Sequence, residues 1–183
     1  TQTTPLQLCL MTAQIANGGY KIKPKIIVND DPLTLEDAKN SMELQSLQKP
    51  NTRLFNDSKN IKIVQEAMFS STNEQFGTSY RSRIDDPKYQ FAGKTGTSQV
   101  KRISKREREL DLKLEQIPYK DRDHALYVAY GPYKNPRYAL SIIVEHGGSG
   151  SKAAAPMAKE LFKLIIDRDE LRDKQSNFEN INI

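Results

Sequence analysis

The stretch Phe91-Ala92-Gly93-Lys94-Thr95-Gly96-Thr97-Ser98-Gln99-Val100 decides the fold, because it places a cation, a glycine and several hydroxyl groups on one predicted strand. Thr95 and Thr97 are two residues apart, so they project from the same face of that strand. Gly96 between them has no side chain to hold a ligand backbone away. Lys94 adds a point charge, and the combination is suited to binding the carboxylate at the end of a peptide.

Two other interpretations compete for this stretch. A phosphate-binding loop requires Gly-x-x-x-x-Gly-Lys-Ser/Thr before a helix, but the first glycine would fall at Lys88, and residues 97–100 continue as a strand. The second interpretation is a core strand in which Lys-Thr-Gly is accidental, because three-letter motifs recur often. The motifs in the rest of the chain have to decide between a core strand and a binding strand.

Helix and strand patterns predict an α+β domain, in which an antiparallel sheet is flanked by helices. The first helix, over residues 5–17, is framed by Thr3 or Thr4 as N-cap, by Pro5 at its first position and by Gly18 past its end. The other predicted elements are a helix from an N-cap at Asn60 to Phe69, a strand over 90–100, a hairpin of strands over 124–130 and 138–144, and a helix over 153–166.

Apolar periodicity predicts which side of each helix is buried. The first helix is predicted to bury its alanines and leucines, and Cys9 on the same side is interpreted as a small buried hydrophobe. The predicted core positions are Leu6, Leu10, Ala13 and Ala16 in the first helix, Ile61, Val64, Ala67 and Met68 in the second, and Met157, Leu161, Leu164 and Ile165 in the last.

Composition is consistent with one globular core, since 37% of the 183 residues are hydrophobic. We expect residues 1–166 to form one domain, with an irregular excursion over 29–60, a charged insert over 101–121 and a polar C-terminal tail over 167–183. The chain shows no signal peptide and no apolar run long enough to span a bilayer, so any membrane anchor is expected outside it.

The net charge of +5 and the basic run that begins at Lys101 invite a nucleic-acid interpretation. Glu107, Glu109 and Asp111 interleave the positive charges and no aromatic platform is present, so no nucleic-acid partner is expected. The insert is interpreted either as a solvated, partly helical segment beside the sheet or, more specifically, as a segment whose basic end helps to attract anionic peptides. Two histidines and one cysteine lie far apart in sequence and give no metal-ligand spacing, so no metal or cofactor is expected.

Lys94-Thr95-Gly96-Thr97 on a strand resembles the third signature of penicillin-binding proteins and serine β-lactamases, whose other two signatures are Ser-x-x-Lys and Ser-x-Asn. The resemblance covers residues 1 to about 166 and is to class B penicillin-binding proteins, in particular their elongation-type members. The other segments that carry it are Thr3-Thr4-Pro5-Leu6-Gln7-Leu8, Ile15-Ala16-Asn17-Gly18-Gly19, Gly77-Thr78, Asp123-His124, Glu145-His146-Gly147-Gly148 and Ala153-Ala154-Ala155-Pro156.

This resemblance implies a peptidoglycan D,D-transpeptidase that crosslinks cell-wall stem peptides through a serine acyl-enzyme. Lys94 is then expected to orient proton transfer near the serine, and the Thr97 N–H to form half of an oxyanion hole. The hydroxyls of Thr95 and Thr97 are expected to bind the terminal carboxylate of the ligand. The edge from Lys94 to Ser98 is expected to pair with the peptide backbone, and Gly96 to permit that approach.

The resemblance also implies partners and a location. The expected ligands are stem peptides that end in D-Ala-D-Ala, and β-lactams, which imitate that dipeptide. Proteins of the cell-wall elongation complex are expected partners. The whole protein is expected on the periplasmic side of the bacterial inner membrane, held by an N-terminal anchor that this chain lacks.

The departures from the family pattern concern the nucleophile, which the family carries upstream of the Thr-Pro-Leu-Gln helix. Ser-x-x-Lys occurs at Ser46, Ser98 and Ser149, but none is predicted to open a helix as the nucleophile must. Ser-x-Asn occurs at Ser58 and Ser71 without the family's spacing. The chain is therefore expected to be the C-terminal part of a transpeptidase domain, without the nucleophile and inactive alone.

Three alternatives remain at this point. The chain is compatible with a septal class B transpeptidase, and also with a non-catalytic half-domain. A class A β-lactamase or a penicillin-sensing domain shares the Lys-Thr-Gly strand. The Thr-Pro-Leu-Gln helix and the Glu-His-Gly-Gly segment argue against both members of that last class.

Overall fold

The computed structural model of the protein describes residues 2–24, 52–54, 57–101 and 112–181, and the side chains of the last helix as far as residue 171. Most of the predicted excursion and residues 102–111 of the predicted insert lie outside these residues. The elements in the described parts are α1 (Pro5–Ala16), α2 (Ser58–Asn73), β1 (Ala92–Ser98), β2 (His124–Gly131), β3 (Tyr138–Val144) and α3 (Ala155–Ile181). The predicted α+β class, with helices flanking an antiparallel sheet, is confirmed.

Helix α1 begins where its capping residues predict. Thr4 Oγ1 accepts a hydrogen bond from the Gln7 N–H at 3.2 Å, and Gln7 Oε1 accepts one from the Thr4 N–H at 2.8 Å. This reciprocal pair is a capping box, and Pro5 fills the first position, where its missing N–H costs nothing. Gly18 follows the helix at a φ of 88°, a left-handed conformation that glycine adopts without strain.

Helix α2 begins earlier than predicted, because its N-cap is Asp57 and not Asn60. The Asp57 carboxylate accepts a hydrogen bond from the Lys59 N–H at 2.8 Å, and a negative charge at this end also suits the helix dipole. The helix also continues past the predicted end at Phe69 to Asn73. That extra turn carries side chains that contact β1, as described below.

The last helix differs from the prediction in its extent and in the side that faces the sheet. A π-helical turn at Gly150–Ala154 leads into α3, which continues past residue 166 to Ile181. The helix carries two apolar stripes, and the one rich in alanine packs on the sheet because small side chains allow a close approach. The buried positions are Ala154, Ala155, Ala158, Phe162 and Ile166, whereas the predicted Met157, Leu161 and Leu164 are exposed.

The sheet has the order β1-β2-β3, with both pairs antiparallel and β1 at one edge. Thr95 lies opposite Tyr127 in the register. Because side chains alternate along a strand, Thr95 and Thr97 project from one face, as predicted, and Lys94 and Gly96 project from the other. None of the helices in the described residues is long and apolar enough to cross a membrane.

A core lies on each face of the sheet. On the α3 side, Phe91 stacks on Phe162 with 4.9 Å between ring centroids, and both rings are fully buried. On the opposite face, Met68 of α2 packs with Ala92 and Tyr130. Of the other predicted core positions, Ile61 and Met68 are buried, whereas Leu6, Val64 and Ala67 are exposed because nothing in the described residues covers those sides of α1 and α2.

Candidate functional site

All of the predicted site residues lie on β1, the edge strand of the sheet. Lys94, Thr97 and Ser98 are exposed, while Thr95 and Gly96 are half-buried. No other strand in the described residues pairs with the outer side of β1. The Lys-Thr-Gly segment therefore lies at an accessible edge and is not a core strand.

The end of α2 caps the first half of this outer edge. The Asn73 side-chain amide donates a hydrogen bond to the Phe91 carbonyl at 2.9 Å, and the Gly93 N–H donates one to Thr72 Oγ1 at 3.1 Å. Residues two apart along a strand direct their backbone groups to the same side. The outward-facing backbone groups of β1 are therefore those of its odd-numbered residues.

The second half of the edge is open by the same alternation. The Thr95 carbonyl and the Thr97 N–H point away from β2, on the side where Thr72 and Asn73 cap the preceding residues. The Lys94 ammonium folds back to this edge and donates hydrogen bonds to the Thr95 carbonyl at 3.0 Å and to Thr95 Oγ1 at 3.3 Å. A cation, an acceptor and a backbone donor thus lie together at one exposed edge.

A further hydroxyl group joins the edge from the Gly77-Thr78 turn. Thr78 Oγ1 lies 3.3 Å from Thr95 Oγ1 and within reach of Ser71 Oγ, at 3.2 Å. Gly77 permits this placement, because a Cβ atom there would lie 2.4 Å from the Ser71 carbonyl oxygen. The turn therefore sits against the end of α2 and presents Thr78 beside the Lys-Thr-Gly segment.

The electrostatics of the edge are set by Lys94. No carboxylate in the described part of the chain forms a salt bridge with its ammonium group, which leaves one exposed positive charge beside the hydroxyls of Thr95 and Thr78. Charge-assisted hydrogen bonds from such groups bind anions more strongly than neutral ones do. The edge is chemically suited to an extended ligand that carries a carboxylate.

The two histidine-containing segments meet at the end of the sheet where β1 finishes. His146, at a φ of 55°, donates its backbone N–H to His124 Nδ1 at 3.0 Å, and the two rings lie 4.9 Å apart. Asp123 accepts hydrogen bonds from the Val100 N–H at 3.2 Å and, through its carbonyl, from the Gly148 N–H at 2.8 Å. These contacts hold the ends of all three strands together. No group of three or more metal-ligating side chains occurs in the described ranges.

Two of the Ser-x-x-Lys strings fall within the described residues. Ser98 is the last residue of β1, and Ser149 precedes the π-helical turn. Ser149 Oγ lies 3.0 Å from Ser151 Oγ. In the described part of the chain, neither serine hydroxyl forms a hydrogen bond with the Lys94 ammonium. Ser46 lies outside that part.

The contribution of α2 was missed by sequence reasoning. The sequence pattern explains Ser71, Thr72 and Asn73 only as a chance match to Ser-x-Asn, yet all three lie against or beside β1. The signal available in the sequence was their position one turn beyond the predicted helix end, directly before the Gly77-Thr78 turn. Polar residues that continue a helix toward a binding strand are candidates for capping its edge.

Comparison with known proteins identifies the family. Residues 1–163 match the family model of the penicillin-binding protein transpeptidase domain. The chain therefore belongs to the penicillin-binding protein transpeptidase family. It is similar to the peptidoglycan D,D-transpeptidase MrdA of Salmonella typhimurium, with 32% identity over 164 residues, which is 90% of this chain and 25% of that protein.

Two solved structures are similar over most of the chain. Penicillin-binding protein 2 of Helicobacter pylori, solved in complex with MreC, is 29% identical with a TM-score of 0.62, over 88% of this chain and 25% of that one. Penicillin-binding protein 2 of Pseudomonas aeruginosa, solved in complex with WCK 5153, is 30% identical with a TM-score of 0.60, over 89% of this chain and 30% of that one. The predicted resemblance is confirmed, and this chain spans 25% of the length of the MrdA protein it matches.

Proposed function

We propose that this chain supplies the substrate-binding wall of a peptidoglycan D,D-transpeptidase that acts through a serine acyl-enzyme. The observation that carries the proposal is the open half of the β1 edge, where the Thr95 carbonyl and the Thr97 N–H face outward beside the Lys94 ammonium. An extended peptide adds to such an edge as a further strand. The similarity to the peptidoglycan D,D-transpeptidase MrdA supports the same reaction.

In the proposed reaction, the serine attacks the carbonyl of the penultimate D-alanine and expels the last D-alanine. An amine from a neighbouring stem peptide then resolves the acyl-enzyme. The negative charge that develops on the attacked carbonyl oxygen is stabilised by the Thr97 N–H, and losing one such donor costs roughly a hundredfold to a thousandfold in rate. The Lys94 ammonium raises the positive potential around the serine and orients its proton transfer.

Recognition of the ligand uses the other groups of the edge. The hydroxyls of Thr95 and Thr97 bind the terminal carboxylate, and each hydrogen bond to a charged group contributes roughly 1.5 to 3 kcal/mol. Gly96 lets the ligand backbone approach, and the edge continues to Ser98. The Lys94 ammonium uses one of the two lone pairs of the Thr95 carbonyl oxygen, so an incoming backbone N–H can bind the other one or displace the ammonium.

The nucleophile is proposed to lie outside this chain, as are a membrane anchor and the second half of the oxyanion hole. We also propose that the whole protein works on the periplasmic side of the inner membrane, with D-Ala-D-Ala stem peptides and β-lactams as ligands. The complex of the H. pylori relative with MreC supports cell-wall elongation proteins as partners. No cofactor and no nucleic acid enter the proposal.

Fluorescent penicillin tests the proposal in two forms of the protein. This chain alone is expected to form no covalent adduct. The full-length gene product is expected to be labelled, and Lys94→Ala to abolish labelling while the circular dichroism spectrum stays unchanged. Lys134→Ala, at the exposed turn between β2 and β3, is the matched control and is expected to label normally.

Three results would contradict the proposal. Labelling of this chain by itself would place a nucleophile within it. Absence of labelling in the full-length protein would favour a non-catalytic half-domain. Normal labelling of Lys94→Ala would show that the strand has a structural role only.

A further inference from the structure

A buried group of hydroxyls lies directly behind the open edge of β1. Tyr127 of β2 is fully buried, and its Oη lies 2.9 Å from Thr72 Oγ1 and 3.0 Å from Ser79 Oγ, both of which are also buried. Burial raises the pKa of Tyr127, although the hydrogen bonds from Ser79 and Thr72 partly oppose the shift. Its phenol therefore remains neutral at physiological pH and can donate a hydrogen bond.

The hydrogen bonds of this group form a consistent chain. The Gly93 N–H donates to Thr72 Oγ1 at 3.1 Å, and Ser79 Oγ donates to the Ser71 carbonyl at 3.0 Å. If Thr72 donates to Tyr127 and Tyr127 donates to Ser79, each hydroxyl hydrogen is used once and each of these three hydroxyls has a partner. A complete network of this kind fixes one arrangement of the strands and helix it joins.

A glycine is required where the network passes β1. A Cβ atom at Gly93 would lie 2.3 Å from Tyr127 Oη, so any other residue would push the phenol away from Thr72. The residue directly before Lys94 therefore serves the network, since its missing side chain makes room and its N–H is bound. This couples the buried hydroxyls to the backbone of the candidate site.

Two routes connect the network to the site. One runs through the Gly93 N–H into the backbone of Lys94. The other runs through Ser71, whose carbonyl binds Ser79 and whose hydroxyl reaches Thr78, which in turn lies 3.3 Å from Thr95 Oγ1. Both routes end at Lys94 and Thr95, which the proposed function uses for the reaction and for ligand binding.

We propose that Thr72 and Tyr127 are positioning residues for the transpeptidase reaction, because their hydroxyls set the position of β1 against α2 and so aim Lys94 and Thr97 at the ligand. Neither residue touches the ligand. This inference rests on the proposed function. It predicts that the rate of acylation depends on a hydroxyl at position 72, and not only on its volume.

The test compares variants of the full-length protein in their reaction with a fluorescent penicillin. The second-order acylation rate constant is normalised to the fraction of active protein found by titration, which separates misfolding from misplacement. Thr72→Val keeps the shape and removes the acceptor of the Gly93 N–H, so the rate is expected to fall about tenfold. Thr72→Ser restores the hydroxyl and is expected to react within about threefold of the wild type.

Thr12→Val is the matched control. Thr12 is as buried as Thr72, but it belongs to α1, and its hydroxyl donates to the Leu8 carbonyl of the same helix at 2.8 Å. Its acylation rate is expected to be unchanged. Tyr127→Phe, which keeps the ring, replaces Thr72→Val if that variant fails to fold. Its acylation rate constant is expected to fall about threefold to tenfold.

The possible outcomes are distinct. Equal normalised rates for Thr72→Val, Thr72→Ser and the wild type would overturn the positioning role, and so would a loss in Thr72→Ser as large as in Thr72→Val. A similar loss in Thr12→Val would assign the effect to general destabilisation and also overturn it. An unreactive wild type refutes the proposed function instead. The positioning of β1 is then read from amide exchange at Gly93, which must be faster in Thr72→Val than in Thr72→Ser for the structural part to hold.

Discussion

Replacing Gly150 by alanine tests how closely the π-helical turn before α3 packs against the sheet. Gly150 opens the π-helical turn, and its Cα faces the backbone of β1 and β2. A Cβ atom there would lie 2.4 Å from the Leu126 carbonyl oxygen and 2.8 Å from that of Gly96. Since real Cβ atoms essentially never approach closer than 3.0 Å, the turn and the sheet must separate by about 0.6 Å. Both obstacles are backbone atoms of paired strands, so neither can rotate aside.

The expected cost is that of overpacking, about 1 to 3 kcal/mol. For a chain of this size each kcal/mol lowers the melting temperature by about 2 to 4 °C, so a decrease of about 2 to 12 °C is expected. Circular dichroism measures the melt, and hydrogen exchange by mass spectrometry follows the amides of β1, which should exchange faster. Gly18→Ala is the control, because it introduces left-handed strain but meets nothing closer than 3.8 Å and lies far from β1 in sequence.

The result that would refute this reasoning is an unchanged melt together with unchanged exchange in β1. Equal acceleration of β1 exchange in Gly18→Ala would also contradict it, because that variant disturbs α1 and not the turn. A loss confined to Gly150→Ala would show that the glycine segment after β3 supports the strand that carries the candidate site.

Two further predictions concern the helix behind the sheet. Phe162→Ala empties a fully buried site and is expected to lower the free energy of unfolding, measured by urea titration, by about 3 to 5 kcal/mol. Met157→Ala, on the exposed stripe, should change it by less than about 0.5 kcal/mol. Equal effects would contradict the assignment of the buried stripe. The Tyr89 phenol and then the Lys88 ammonium hold the pKa of Asp167 below its ordinary value. The stabilisation by Asp167 is therefore present above that ordinary pKa and is lost as the pH falls through the lowered pKa. The melting temperatures of wild type and Asp167→Asn should converge in acid. A difference between them that grows in acid would contradict this prediction.

The sequence predicted the class of fold and the strand that carries the candidate site because those features depend on local rules. Capping residues defined α1, and the apolar, β-branched pattern defined β2 and β3 to within a residue. The same rules failed for α3, since two apolar stripes recur at helical spacing on one helix and periodicity cannot rank them. Tertiary contact decided, because the stripe with alanines comes closest to the sheet and lets Phe162 reach Phe91.

The partners of β1 could not be predicted for a different reason. The side chains that cap its edge, Thr72 and Asn73, come from α2 about 20 residues earlier, and no local pattern reports a contact at that separation. The predicted common face of Thr95 and Thr97 follows from strand geometry alone. The adjacency of Thr78 to Thr95 required the turn at Gly77, whose tight approach to α2 is visible only once both elements are placed.

The open edge follows from a single alternation along β1. Because Thr72 binds the backbone of Gly93, the backbone groups two and four residues later must face the same way, whatever their side chains are. The side chain of Lys94 leaves the opposite face and returns to that edge only through its length. Shifting β1 by one residue would turn the backbone groups of Thr95 and Thr97 toward β2 and would turn those of Lys94, Gly96 and Ser98 outward instead. The cap at Gly93 therefore determines which residues of the Lys-Thr-Gly segment present their backbone groups at the open edge.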